Sequence, residues 1–171
     1  MMIMCKLFWP FVSGIMFAEE AKQFIMMVST RGRYALRVMI DMAEHSNGEY
    51  LPMKDISGRQ QISLKYMEKI MPILVAGQLV EGVHGKGGGY RLTRAPEEYR
   101  VGEILRLTEG SLAPVACIEC GAEPCERAGE CRTLPMWVEL NKVINDYLDS
   151  VTLDQLMRPE PGAGDGAGLA I

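Results

Sequence analysis

The chain has 171 residues, 48% hydrophobic and 23% charged, with a net charge of -4 and five cysteines. That length carries one domain with a sizeable core, or a small domain with an appendage, and the balance is that of an ordinary globular protein. Five cysteines in so long a chain exclude a disulfide scaffold. Four of them share one short run, which favours a reducing cytoplasm and a metal or redox role.

The charge is uneven. Residues 27–94 hold ten Lys and Arg against six Asp and Glu, whereas residues 95–171 hold six against fourteen. A basic segment beside an acidic one fits a nucleic-acid footprint, and chance variation in surface charge fits equally well. Residues 1–26 stand apart as an N-terminal extension. Leu7 to Ala18 is mostly apolar and follows Lys6, like the start of a signal peptide, but Pro10 interrupts it and it is too short to span a membrane. A start site placed too far upstream, or an added arm, is favoured over export, because export would expose the cysteines to oxidation.

Thr30 precedes a helical pattern with Tyr34, Val38 and Met42 on one face, ending at Asn47-Gly48. Arg31, Arg33 and Arg37 lie near its start, where they oppose the helix dipole. A phosphate backbone would give them a purpose; plain solvation is the alternative. Pro52 to Ser57 reads as a short second helix, and Gln60-Gln61-Ile62 as a tight link. Ser63 is an N-cap for a third helix reaching about Ala76, with Gly77 as its stop. Met67, Ile70 and Leu74 form its apolar face, and Lys65, Tyr66, Glu68 and Lys69 its polar one. Pro72 predicts a kink, or a groove-facing part that ends before it. Two short helices so joined fit a helix-turn-helix, whose second helix enters the major groove.

Residues 79–83 and 90–93 read as two strands around a glycine-rich tip, His84-Gly85-Lys86-Gly87-Gly88-Gly89. Glycines let the tip approach another backbone, and His84 and Lys86 add polar and cationic contacts. Neither nucleotide-binding glycine pattern is matched, which weakens the rival reading of a phosphate cradle. The fold class expected is mainly α with a small β-hairpin, a winged helix-turn-helix.

Val101 to Thr108 reads as a connecting helix closed by Gly110, and a long helix follows Pro135 to about Leu148. Its stripe of Trp137, Leu140, Ile144, Tyr147 or Leu148, and Val151 covers either its own core or a partner helix from a second subunit. A winged domain of about 65 residues has little core to spare, which favours the second subunit. Thr152 and Gln155 form a capping box for a last short helix. Between the connecting and long helices lie Cys117, Cys120, Cys125 and Cys131. Thiolates this close in a Gly/Pro-bearing loop suit an iron–sulfur cluster, a zinc site or a disulfide-forming switch. Zinc sites usually show two close pairs, and this run has one Cys-x-x-Cys.

Ser29-Thr30-Arg31-Gly32-Arg33-Tyr34-Ala35 resembles the opening of the IscR/NsrR/CymR family of bacterial winged-helix regulators. Ile62-Ser63-Leu64-Lys65-Tyr66-Met67-Glu68 resembles its recognition-helix motif, and Gly85-Lys86-Gly87-Gly88-Gly89-Tyr90 its wing. Ala113-Pro114-Val115, the Cys125 to Cys131 spacing, Met136-Trp137 and the segment from Leu148 to Leu156 follow in family order, so that the likeness covers about residues 27–157.

The resemblance implies a homodimeric DNA-binding transcription regulator without enzymatic activity, acting on a near-palindromic double-stranded operator and away from membranes. It implies DNA contact by Thr30, Arg31 and Arg33, by Ser63, Lys65, Tyr66, Glu68 and Lys69, and by His84, Gly85, Lys86 and Gly87 of the wing. Glu68 falls on the base-reading position, where a carboxylate can accept from cytosine N4; a surface ion pair with Lys65 or Lys69 is its alternative. His84 stands where the IscR branch has an arginine. Family members with cysteines in this loop carry an iron–sulfur cluster, which implies Cys117, Cys125 and Cys131 as ligands, with Cys120 as a substitute fourth ligand or a spare thiol. The IscR branch has a histidine where this chain has Leu134. The fourth ligand is therefore expected from Cys120, Glu119, Glu123 or the partner subunit, and the cluster from the two-iron or four-iron type.

The expected division is an extension over 1–26, a reading domain over 27–95, a connecting helix over 96–110, a sensor loop over 111–134, dimer and terminal helices over 135–157, and a disordered tail over 158–171. Two other classes stay open: a cofactor-free or zinc-stabilised regulator, and a small iron–sulfur electron carrier.

Overall fold

A computed structural model describes residues 28–157 apart from 84, 86 and 124. The expected extension and tail, and the expected contacts of His84 and Lys86, lie outside the described residues. Helices α1 (Thr30–His45), α2 (Met53–Gln60) and α3 (Leu64–Ala76) come first, then strands β1 (Val80–Val83) and β2 (Gly89–Leu92). Helices α4 (Val101–Glu109), α5 (Leu134–Ser150) and α6 (Leu153–Met157) follow, with short 3-10 turns at Pro96–Glu98, Ala116–Ile118 and Ala128–Glu130. The mainly α fold with one antiparallel hairpin is the expected one, β1 and β2 pairing Val80 with Leu92 and Val83 with Gly89.

The core forms where three apolar faces meet. Ala35, Val38, Met39 and Met42 of α1 pack with Ile56 of α2 and with Met67, Ile70, Met71 and Leu74 of α3. Ile104, Tyr99 and Leu153 close it from below. Each large apolar side chain buried here stabilises the fold by about 1.5–3 kcal/mol. The Tyr99 hydroxyl donates to the Leu79 carbonyl (2.9 Å) and accepts from the Arg94 amide (2.8 Å), so a buried polar tip anchors the root of the hairpin.

Several boundaries differ from the expectation. Thr30 is the first residue of α1 rather than the residue before it, and Ser29 caps the helix, its hydroxyl accepting from the Arg31 and Gly32 amides. Helix α2 runs three residues past Ser57 to Gln60, and Gln61 makes the turn in the left-handed region at φ 54. Helix α3 ends at Ala76 with Gly77 as its cap, as expected, and continues through Pro72. The lost donor leaves the Glu68 carbonyl on the exposed face, where water can satisfy it. After α3, Gln78 takes the positive φ of 56, and Gly77 lies where a Cβ would push on the Leu107 side chain. The hairpin also gains an unexpected edge partner. The Leu51 amide donates to the Tyr90 carbonyl (2.8 Å), and the Tyr90 amide donates back to Leu51 (2.9 Å). A Cβ at Gly89 would collide with the Leu51 carbonyl, so this close approach requires glycine.

Among the described residues, one charged residue is fully buried. Asp41 has 0% of its side chain exposed. Arg59 Nε reaches its two oxygens at 2.9 and 3.1 Å, Arg59 Nη2 reaches Oδ2 at 2.7 Å, and Gln60 Nε2 reaches Oδ1 at 3.0 Å. Burial pushes the Asp41 carboxyl up, but the hydrogen bonds from Arg59 and Gln60 and the charges of Arg59 and His45 outweigh it and hold it below 3.8. The stability it contributes is therefore complete above pH 3.8 and lost as pH falls through the lower folded value. Arg59→Ala should cost about 2–3 kcal/mol in urea unfolding, because a buried carboxylate loses its counter-ion. Asp41→Asn should show a flatter dependence of unfolding free energy on pH between about 5 and 2 than the unaltered protein.

Candidate nucleic-acid interface and thiol loop

Helix α3 owes its exposed face to its own periodicity. With Met67, Ile70, Met71 and Leu74 turned inward, Ser63, Leu64, Lys65, Glu68 and Lys69 are left exposed together. Ser63 caps the helix by accepting from the Tyr66 amide (3.3 Å). Tyr66 itself is half-buried, edge-on to Tyr34 of α1 at 5.3 Å and 74°.

The arginines of α1 divide. Arg37 is engaged within the protein, donating to the Gln60 carbonyl (2.5 Å) and side-chain oxygen (3.1 Å) and lying 5.4 Å from the Tyr34 ring centre. It thereby holds the last carbonyl of α2. Among the described residues, Arg33 reaches only its neighbour Thr30 (3.2 Å), and Arg31 reaches the Thr108 carbonyl (3.4 Å). The helix dipole that these cations oppose is answered from far along the chain. Glu109 Oε1 accepts from the Ser29 amide (3.2 Å), the Ser29 hydroxyl (2.8 Å) and the Gly32 amide (3.1 Å). A Cβ at Gly32 would collide with that carboxylate.

The wing tip turns on Gly85 (φ 108) and Gly87 (φ 80), with the Gly88 amide donating to Gly85 (3.0 Å). On the wing itself, Arg91 pairs with Glu81 across the strands, donates to the Gly48 carbonyl (3.3 Å) and lies 4.7 Å from the Tyr50 ring centre. The Tyr50 hydroxyl donates to the same Glu81 carboxylate (3.2 Å).

The cysteine loop leaves α4 at Gly110, whose φ of 86 ends the helix, and enters α5 at Leu134. Cys117, Cys125 and Cys131 carry free thiols, the first two exposed and the third half-buried. Cys120, on the turn after residues 116–118, is exposed. The Thr133 hydroxyl, 3.4 Å from Cys131 Sγ, lowers that thiol's pKa, helped by the Thr133 and Leu134 backbone and the charge of Arg127. Three soft thiol donors with one drawn toward thiolate suit an iron–sulfur cluster by chemistry. Among the described residues, no three His, Cys, Asp or Glu side chains are gathered as metal ligands, so holding a cluster requires the loop to draw in.

Helix α5 has no fully buried residue. Trp137, Leu140, Ile144 and Leu148 are half-buried on one face, which rests against α4 through Arg106, bonded to Asn145 (2.9 Å) and Asp149. Another face carries Met136, Val143 and Tyr147, exposed at 53%, 55% and 66%. The expected stripe therefore runs through Leu148 and rests on α4 of its own chain rather than being left free for a partner helix, with Tyr147 turned outward. Among the described residues, no helix is long and apolar enough to cross a membrane.

A polar-faced second helix in a helix-turn-helix, followed by a β wing, defines the class of winged-helix transcription regulators. The chain belongs to the Rrf2 family: the family model described as an iron-dependent transcriptional regulator matches residues 28–159. It is similar to the HTH-type transcriptional regulator IscR of Pectobacterium carotovorum subsp. carotovorum (strain PC1), at 38% identity over 132 residues, 77% of this chain and 79% of that one. IscR of Aliivibrio salmonicida (strain LFI1238) is also 38% identical, over 77% of each chain. Among solved structures, CymR, the global cysteine regulator of B. subtilis, matches with a TM-score of 0.62 and 31% identity, over 78% of this chain and 97% of that one. IscR of T. potens matches with a TM-score of 0.62 and 30% identity, over 83% and 93%. The protein is a transcription regulator of the IscR/Rrf2 type and not an enzyme.

Sequence reasoning missed Glu109 and Tyr50, whose partners lie far away along the chain, and Glu81 and Arg91, whose pairing depends on the exact register of the hairpin. The one local signal was the lack of an acidic residue in the first turn of α1. Glu109→Ala should lower stability by about 1 kcal/mol and speed amide hydrogen exchange at residues 30–33 before the rest of α1.

Proposed function

We propose that the protein is a homodimeric regulator whose operator affinity is set by an iron–sulfur cluster held in the cysteine loop. The observation that carries this reading is the placement of three free thiols on one exposed loop rooted in α4 at one end and α5 at the other. Residues 27–95 would read DNA, residues 96–110 connect, residues 111–134 sense and residues 135–157 join two subunits.

Cys117, Cys125 and Cys131 would hold the cluster, with Cys120, Glu119, Glu123 or a partner residue completing its ligands. A bound cluster supplies a redox- and nitric-oxide-sensitive centre at this point. Drawing the loop inward pulls on the start of α5, while the bonds of Glu109 to Ser29 and Gly32 hold the end of α4 in place. If the exposed Met136, Val143 and Tyr147 face a second copy, a shift of α5 changes the separation of the two α3 helices and so the fit to DNA.

Each α3 would enter a major groove. Glu68 would accept from cytosine N4, with Ser63, Lys65, Tyr66 and Lys69 beside it, and Thr30, Arg31 and Arg33 would meet the backbone. The wing, with His84, Gly85, Lys86 and Gly87, would lie alongside. Two-fold symmetry calls for a near-palindromic operator with half-sites about 34 Å, or a multiple of that, apart. A cofactor-free thiol switch is the second reading, because Cys117 and Cys125 carry free, exposed thiols on the same loop.

Anaerobically purified protein should be coloured and contain iron and sulfide. A colourless, iron-free preparation with full operator binding would count for the thiol switch. In gel shifts, Glu68→Ala should relax discrimination at one base pair by about 1–3 kcal/mol, and Lys65→Ala should weaken binding. Unchanged affinity and specificity in both would remove α3 as the reader. Val143→Glu with Tyr147→Glu should sediment as a monomer.

A further inference from the structure

We propose that Tyr50, Glu81 and Arg91 form a brace that aims the wing at DNA, so that the acidic Glu81 supports DNA binding; this rests on the reading of the wing as a backbone contact. Two four-residue strands do not hold an orientation by themselves. The wing is fixed at its edge by the paired Leu51 and Tyr90, which sets its height on the domain. Rotation about that edge is opposed by the brace. Gly48 and Tyr50 belong to the connector between α1 and α2, whereas Glu81 and Arg91 are directly paired residues of β1 and β2. The Arg91 guanidinium therefore bridges connector and wing through a carbonyl, a carboxylate and an aromatic face.

These partners also argue against Arg91 as a phosphate ligand. Its charge is already paired with Glu81, and its plane already rests near Tyr50. The pair is open to solvent, with side chains 42% and 43% exposed, so its direct contribution to folding is small. What it supplies is orientation. Without it the wing must be ordered when DNA binds, and that ordering lowers affinity.

The sign of one substitution separates the readings. Charge accounting alone makes removal of an acid from a DNA-facing element strengthen binding. The brace makes Glu81→Gln weaken it. The measurement is fluorescence anisotropy of the full chain at several salt concentrations. One duplex is selected from a randomised library by the unaltered protein, and the other is unrelated.

Glu81→Gln and Arg91→Gln should each lose about two- to fivefold in affinity on both duplexes, at unchanged thermal stability and unchanged salt slope. The double variant should be no worse than either single one. Tyr50→Phe, which keeps the ring under Arg91 but loses the hydroxyl, should fall between. Lys86→Ala should weaken binding and flatten the salt slope by about one. Glu81→Gln binding as tightly as the unaltered protein, or more tightly, overturns the brace. So does a flatter salt slope for Arg91→Gln, which would make it a phosphate ligand. Lys86→Ala binding normally would instead remove the wing contact itself, and the brace proposal with it.

Discussion

The structure depends on a carboxylate that has no access to water. Asp41 sits in the second half of α1 with no exposed side-chain surface, and it stays there because Arg59 and Gln60 come to it from the end of α2. Arg37, one turn before Asp41, takes the Gln60 carbonyl from the other side. The end of α2 is thereby fixed to α1 by directed bonds rather than by apolar contact alone. Since Gln61 turns immediately into the cap of α3, those bonds also set where the exposed face of α3 points. Apolar packing tolerates small slides between helices, whereas a bidentate ion pair with a third donor does not.

Electrostatics divide the molecule by role. The arginines near the start of α1 look unfavourable for a helix N-terminus until Glu109 is seen to supply the missing negative charge from α4. Among the described residues Arg33 is then left with a single neighbouring hydroxyl as partner, and it is exposed. Arg37 and Arg91 are committed to partners inside the protein. Counting basic residues therefore overstates the charge that the surface can offer a phosphate chain.

Local chemistry was readable in the sequence, and distant pairing was not. Ser63 as a cap, the apolar spacing of Met67, Ile70 and Leu74, and the Thr152–Gln155 capping box all act within one or two turns, and each appears as expected. The differences at Ser29 and Gln60 are shifts of one to three residues, where neighbouring side chains compete for the same role. What escaped was Asp41 with Arg59, Glu109 with Ser29, Tyr50 with Arg91, and Leu51 with Tyr90. Each joins residues that only the folded chain brings together, and none leaves a periodic trace. The thiol loop is intermediate: its spacing announced soft-ligand chemistry, but spacing does not say where each sulfur lies.

The two ends of that loop are not equally firm. At Glu109 it leaves a helix bonded three times to the start of α1 and packed on the core. At Leu134 it enters a helix with no fully buried side chain, tied to α4 mainly through Arg106 near its far end. A tether with one rigid post and one compliant post transmits displacement in one direction. Any contraction between the two ends is taken up by the start of α5, and the core feels it last.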